Sequence, residues 1–134
     1  MTALGVLLLA ALGMACNLAF AQLVLQPDWA LALLLGAMLA HRGVWWWVLP
    51  MAMAHDLVMY RSIWGLAPWT LLLPWLMAHL DFRLGPGLPQ RMIFMLLALA
   101  PVLYFHWSVE AWLLTALAVV PIWHHLADYY AQRA

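Results

Sequence analysis

His55 and Asp56 are neighbouring ionisable residues in a stretch that is otherwise almost wholly apolar, and Arg61 follows five positions later. An imidazole beside a carboxylate can exchange protons, form an ion pair, or tie one helix to another through hydrogen bonds. The structural anchor is the stronger reading, either as a helix-terminal salt bridge of Asp56 with Arg61 or as a packing hydrogen bond between spans. Met51, Met53 and His55 offer thioether and imidazole groups that suit copper. On a helix, however, Met53 points away from the face shared by Met51 and His55, so no metal site and no cofactor are expected. His124 and Asp128 share a face at i and i+4, and histidines at a helix C-terminus have a sufficient electrostatic reason to be there. Ser62 and Ser108 are the only serines, neither lies in a nucleophile elbow, and no HExxH or paired-carboxylate pattern occurs. The chain is therefore not expected to be an enzyme. His106 and Glu110, also at i and i+4, are the one further pair with the chemistry to line a ligand site.

These side chains need elements to hold them, and the composition says which kind. Of 134 residues, 69% are apolar and 7% charged, and the permanent charges are five Arg, four Asp and one Glu. A soluble domain carries about a quarter charged residues. Without a basic surface there is nothing to neutralise phosphates, so no nucleic acid is expected as a partner. The composition predicts a membrane protein, with lipid as its surroundings. One cysteine, Cys16, excludes an internal disulfide.

Hydropathy and the Pro and Gly punctuation predict an all-α, polytopic transmembrane helical bundle forming one domain over residues 1–134. About six spans are expected, at residues 4–25, 29–40, 44–60, 64–80, 90–107 and 109–126, each judged against the roughly 20 residues that cross a bilayer. Ala19-Phe20-Ala21 has the look of a signal-peptidase site, but no basic residue precedes the first apolar run, so that run is expected to be a span. The loop from Asp81 to Pro89 is the clearest solvent-exposed connection. Two lines of small residues, Ala11 with Ala15 and Ala19, and Gly36 with Ala40, would let helix backbones approach closely.

With six spans, Arg42, Arg83, Arg91 and Arg133 fall on one side. Arg61, Asp28, Asp56 and Glu110 fall on the other. The positive-inside rule makes the first side cytoplasmic, with both termini there. Trp29, Trp64, Trp107 and Trp112 gather near one boundary, and Trp45, Trp46, Trp47 and Trp123 near the other, as an aromatic belt requires.

The order of features resembles a known family. Pro27-Asp28-Trp29 opens an apolar helix that ends in His41-Arg42. A third helix closes on Asp56-Leu57, Gly65 follows, and the chain leaves the next helix at Asp81-Phe82-Arg83. This is similar to MreD, the small integral membrane protein of the bacterial rod-shape system, with residues 26–83 carrying the likeness. The resemblance implies a non-enzymatic scaffold in the bacterial cytoplasmic (inner) membrane. It would bind the single-span protein MreC and, through it, MreB filaments and the cell-wall synthase. Pro27, Asp28, Trp29, Arg42, His55, Asp56 and Arg61 are the residues expected to anchor helices or partners. Two alternatives stand beside it: the substrate-binding component of an energy-coupling-factor transporter, using His106 and Glu110 at the outer face, and an accessory subunit of another membrane complex.

Overall fold

The computed structural model describes residues 3–21, 23–85, 87–104 and 108–133. It contains six α-helices: α1 (Ala3–Ala19), α2 (Trp29–Ala40), α3 (Trp45–Tyr60), α4 (Ala67–Leu84), α5 (Leu88–Tyr104) and α6 (Val109–Arg133), with a 3₁₀ turn at Arg42–Val44. No strand occurs among the described residues.

α2 is the axis of the bundle. Nine of its twelve residues, those from Ala30 to Leu39 other than Leu33, are buried, and α1, α3, α4, α5 and α6 all touch it. A helix enclosed in this way has no exposed face, which explains why its sequence shows no polar stripe. α6 presents Ala111, Thr115, Val119, Trp123 and Leu126 inward, a run at helical steps of four and, last, three. Gly36 allows that contact, because a Cβ there would meet Ile122 Cγ2 at 2.7 Å. Gly13 does the same for α1, where a Cβ would lie 2.7 Å from Trp29 Cβ.

The exterior is apolar. Leu8, Leu12, Leu23, Trp46, Leu71, Trp75, Phe82 and Leu117 are among the large apolar side chains left exposed, while Asp28, His55 and Asp56 are each 0% exposed. Among the described residues one helix, over Val109–Gln132, is long and apolar enough to cross a membrane by itself; Ala3–Ala19, Trp29–Ala40 and Leu88–Pro101 are shorter apolar helices. At about 1.5 Å per residue, the twelve residues of α2 reach only about 18 Å.

The helix boundaries differ from the sequence expectation in ways with visible causes. α1 ends at Ala19 rather than 25, and the descending segment is tied back by Gln26 Nε2 donating to Cys16 O at 3.2 Å and Asn17 Nδ2 donating to Pro27 O at 2.7 Å. α4 starts at Ala67 rather than 64, with Pro68 in its first turn, where a missing N–H leaves no helical bond unmade. It then runs on to Leu84, so Asp81-Phe82-Arg83 is helical and the connection shrinks to the residues around Gly85. α6 likewise continues past 126 to Arg133. The line Ala11, Ala15 and Ala19 faces outward; the inward line of α1 is Val6, Ala10, Gly13 and Asn17.

Candidate functional site: a buried carboxylate–imidazole–carboxylate cluster

Each member of the site is placed by a helix end. Asp28 is the N-cap of α2, extended at φ −76 and ψ 94, and its Oδ1 accepts from the Leu31 N–H at 3.1 Å. That is the ordinary task of an Asp at this position, since the first amides of a helix have no partner within it. Pro27 before it is buried, and the Pro27 carbonyl is held by Asn17. Asn17 Oδ1 also accepts from the Trp29 N–H at 3.2 Å. The Asp28 N–H donates to Thr115 Oγ1 at 2.9 Å, which fastens the start of α2 to α6.

α3 brings His55 and Asp56 to the same end. His55 Nε2 lies 2.7 Å from Asp28 Oδ2, and His55 Nδ1 lies 3.1 Å from Asp56 Oδ1. One imidazole thus bridges two carboxylates, and the doubly protonated ring satisfies both contacts as a donor. Tyr60, one turn after Asp56, donates its hydroxyl to Asp28 Oδ2 at 3.1 Å and stands edge-on to the His55 ring at 5.2 Å.

Asp56 serves a second helix. Its Oδ1 accepts from the Leu66 N–H at 2.9 Å and its Oδ2 from the Ala67 N–H at 2.7 Å, so it caps α4 from ten residues away in sequence. The segment between α3 and α4 must pass directly over this carboxylate. Gly65 permits it: a Cβ there would stand 2.6 Å from Asp56 Oδ1 and 2.7 Å from Tyr60 Cδ2.

The charge balance explains how such a cluster stays buried. With the ring doubly protonated, two carboxylates and an imidazolium leave one net negative charge, and each carboxylate lies on a helix N-terminus carrying about half a positive charge. The sum is about zero. Each carboxylate accepts three hydrogen bonds, so no oxygen is left bare. The arrangement is a set of internal fasteners joining α1, α2, α3, α4 and α6. The same bonds place the ends of α1 and α3 beside the starts of α2, α4 and α6, so these helices alternate in direction.

Asp28, His55 and Asp56 therefore converge, with Pro27 and Trp29 supporting the cap. Arg61 does not join them. It ends α3 in the left-handed region at φ 54, its side chain is exposed, and it makes no ion pair among the described residues. Of the two structural alternatives for Asp56, the Arg61 salt bridge is not formed; backbone amides of α4 and His55 satisfy the carboxylate without bringing a guanidinium into the interior. Arg42 lies at the opposite end, exposed in the 3₁₀ turn after α2. Glu110 is exposed in the first turn of α6, and His106 lies outside the described residues. Met53 is exposed while His55 is buried, as their helical offset requires.

Tyr60, Thr115 and Asn17 belong to the cluster and were not among the residues expected from sequence. Tyr60 carries a local signal, at i+4 from Asp56 on one face of α3. Thr115 carries none, being 87 positions from the amide it receives. Comparison with protein-family models, curated proteins and solved structures finds no match for this chain.

Proposed function

We propose that this protein is an integral scaffold of the bacterial cytoplasmic membrane, similar to MreD, that holds other membrane proteins and performs no chemistry of its own. The carrying observation is the inverted distribution of polarity, with Asp28, His55 and Asp56 at 0% exposure and large apolar side chains outside. Ionisable groups in a membrane interior face the bundle and pair with one another. Here each carboxylate is spent on internal bonds, which favours a structural role over a substrate-binding one. A transporter's binding component needs a cavity with convergent polar groups, whereas the buried carboxylates here accept from backbone amides, His55 and Tyr60.

On this reading all six helices lie in the membrane. α2 is enclosed by its neighbours and needs no lipid contact, so its shortness is tolerated. Both termini and Arg42, Arg83, Arg91 and Arg133 are cytoplasmic. Fusions of alkaline phosphatase and of a fluorescent protein to the C-terminus test the orientation, and active phosphatase there contradicts it. The function is tested by mild detergent extraction, affinity capture of the chain and mass spectrometry. Recovery of an MreC-like protein with the cell-wall synthase is the expected result. Recovery of a paired ATPase with a transmembrane coupling subunit overturns it in favour of transport, and an unrelated complex in favour of an accessory subunit.

A further inference from the structure

At the end of the bundle opposite the buried cluster, a groove of about 520 Å³ is lined by Arg42, Gly43, Trp45, Leu71, Pro74 and Trp75. Its wall is uneven in chemistry. Arg42 and Gly43 stand in the turn after α2, whereas Leu71 and Pro74 stand within α4. The groove thus has a cationic mouth and an apolar flank. Trp45 and Trp75 form its aromatic sides and are 40% and 62% exposed. Arg42 makes no ion pair among the described residues, and Asp81, the acid at the end of α4, is committed to Arg91.

We propose that this groove binds one anionic phospholipid, its phosphate on Arg42 and its acyl chain along Leu71 and Pro74. The proposal rests on the membrane reading above. An unpaired guanidinium is suited to phosphate because it is planar and presents several donors in a fixed fork. Tryptophan at a membrane boundary covers the glycerol region with an apolar ring while keeping its N–H available to polar groups. Basic recesses between helices on the cytoplasmic side are where acidic headgroups collect, and Arg42 belongs to the side with the greater number of arginines. A soluble phosphate would use the mouth and leave the apolar flank empty, so the shape of the groove selects the lipid.

The test is native mass spectrometry of the full chain in detergent, titrated separately with phosphatidylglycerol and with phosphatidylcholine of the same acyl chains. One phosphatidylglycerol is expected to be retained in preference to phosphatidylcholine. Arg42→Gln is expected to weaken that retention about fivefold, as one surface charge does for an acidic lipid, while Arg83→Gln leaves it unchanged. Trp75→Ala, at an exposed position that leaves the core intact, is expected to lower retention of phosphatidylglycerol as well. Equal retention of the two lipids, or retention indifferent to Arg42, overturns the proposal, as does displacement of the lipid by glycerol 3-phosphate at equal concentration. Separately, flotation with liposomes reports on the membrane reading: a chain that floats but retains no lipid on Arg42 refutes the groove alone, and a chain that stays soluble without detergent refutes both.

Discussion

The two ends of this bundle use the same residue types for different ends. At one, Asp28, His55, Asp56 and Tyr60 are buried and join helices far apart in sequence. At the other, Asp81 meets Arg91 through two bonds of 3.1 and 2.7 Å, but this links only α4 to the next helix, α5, with both side chains partly exposed. His41 accepts there from the N–H of its near neighbour Gly43, and Arg42 makes no ion pair among the described residues. Partners at the closed end span up to 87 positions, so they determine which helices lie together. Hydrogen-bond partners described at the open end span two to ten positions, so they shape a turn or join consecutive helices. A closed, charge-balanced cluster specifies topology, and an open end with an unpaired cation leaves a surface for ligands.

Removing one carboxylate should break that contrast most severely. Asp56→Ala strands His55 and the amides of Leu66 and Ala67 in the interior, and a broken buried pair costs about 3–5 kcal/mol. The expected outcome is loss of a cooperative thermal transition in detergent, followed by tryptophan fluorescence. A melting curve like that of the native chain would show that the cluster fastens nothing.

Two glycines sharpen the comparison, because they are required for different reasons. Gly65→Ala forces a Cβ against Asp56 and Tyr60, and overpacking of this kind costs about 1–3 kcal/mol. Gly85→Ala meets no atom within 4 Å but must adopt φ +77 with ψ 162, a region essentially confined to glycine that costs a residue with a Cβ about 1–3 kcal/mol. Denaturation midpoints should fall for both, and a cavity-making Tyr60→Ala in the same chain should recover part of the loss for Gly65→Ala only.

A smaller change at the closed end is Thr115→Val, which keeps the shape of the side chain but leaves the Asp28 N–H without its acceptor. An unsatisfied buried donor costs about 1–3 kcal/mol. Hydrogen exchange at the Asp28 amide should accelerate in step with the loss of stability. The smallest effect is expected at the open end, where Asp81→Ala removes a partly exposed ion pair worth about 1 kcal/mol or less. A double-mutant cycle with Arg91→Ala measures the coupling, and a value matching that of Asp56 with His55 would erase the distinction between the two ends.

Much of the architecture is legible along the chain because the signals are local. Pro27-Asp28 announces the start of α2 through a proline followed by a capping carboxylate, and the expected range of that helix is the observed one. The six apolar runs correspond to six helices, since length and punctuation depend only on neighbours in sequence. The grouping of Asp28 with Asp56 at one end follows from counting helices. Boundaries were legible less well where a remote group intervenes. α4 begins at Ala67 because the Asp56 carboxylate receives its first amides, and no pattern within residues 61–67 encodes that.

The choice of partners is what only the tertiary structure decided. Sequence proximity favours Arg61 for Asp56, yet the left-handed turn at Arg61 ends the helix with its side chain exposed, and His55 with two backbone amides completes the carboxylate instead. His55 bridges to Asp28 across 27 positions, and Thr115 reaches the same cap from the sixth helix. The physical reason is that helical period and capping are set by bonds between near neighbours in the chain. A buried polar group has a different requirement: some donor or acceptor must stand within about 3 Å in the right direction. Packing of whole helices, with Gly13, Gly36 and Gly65 letting them approach, decides which group that is.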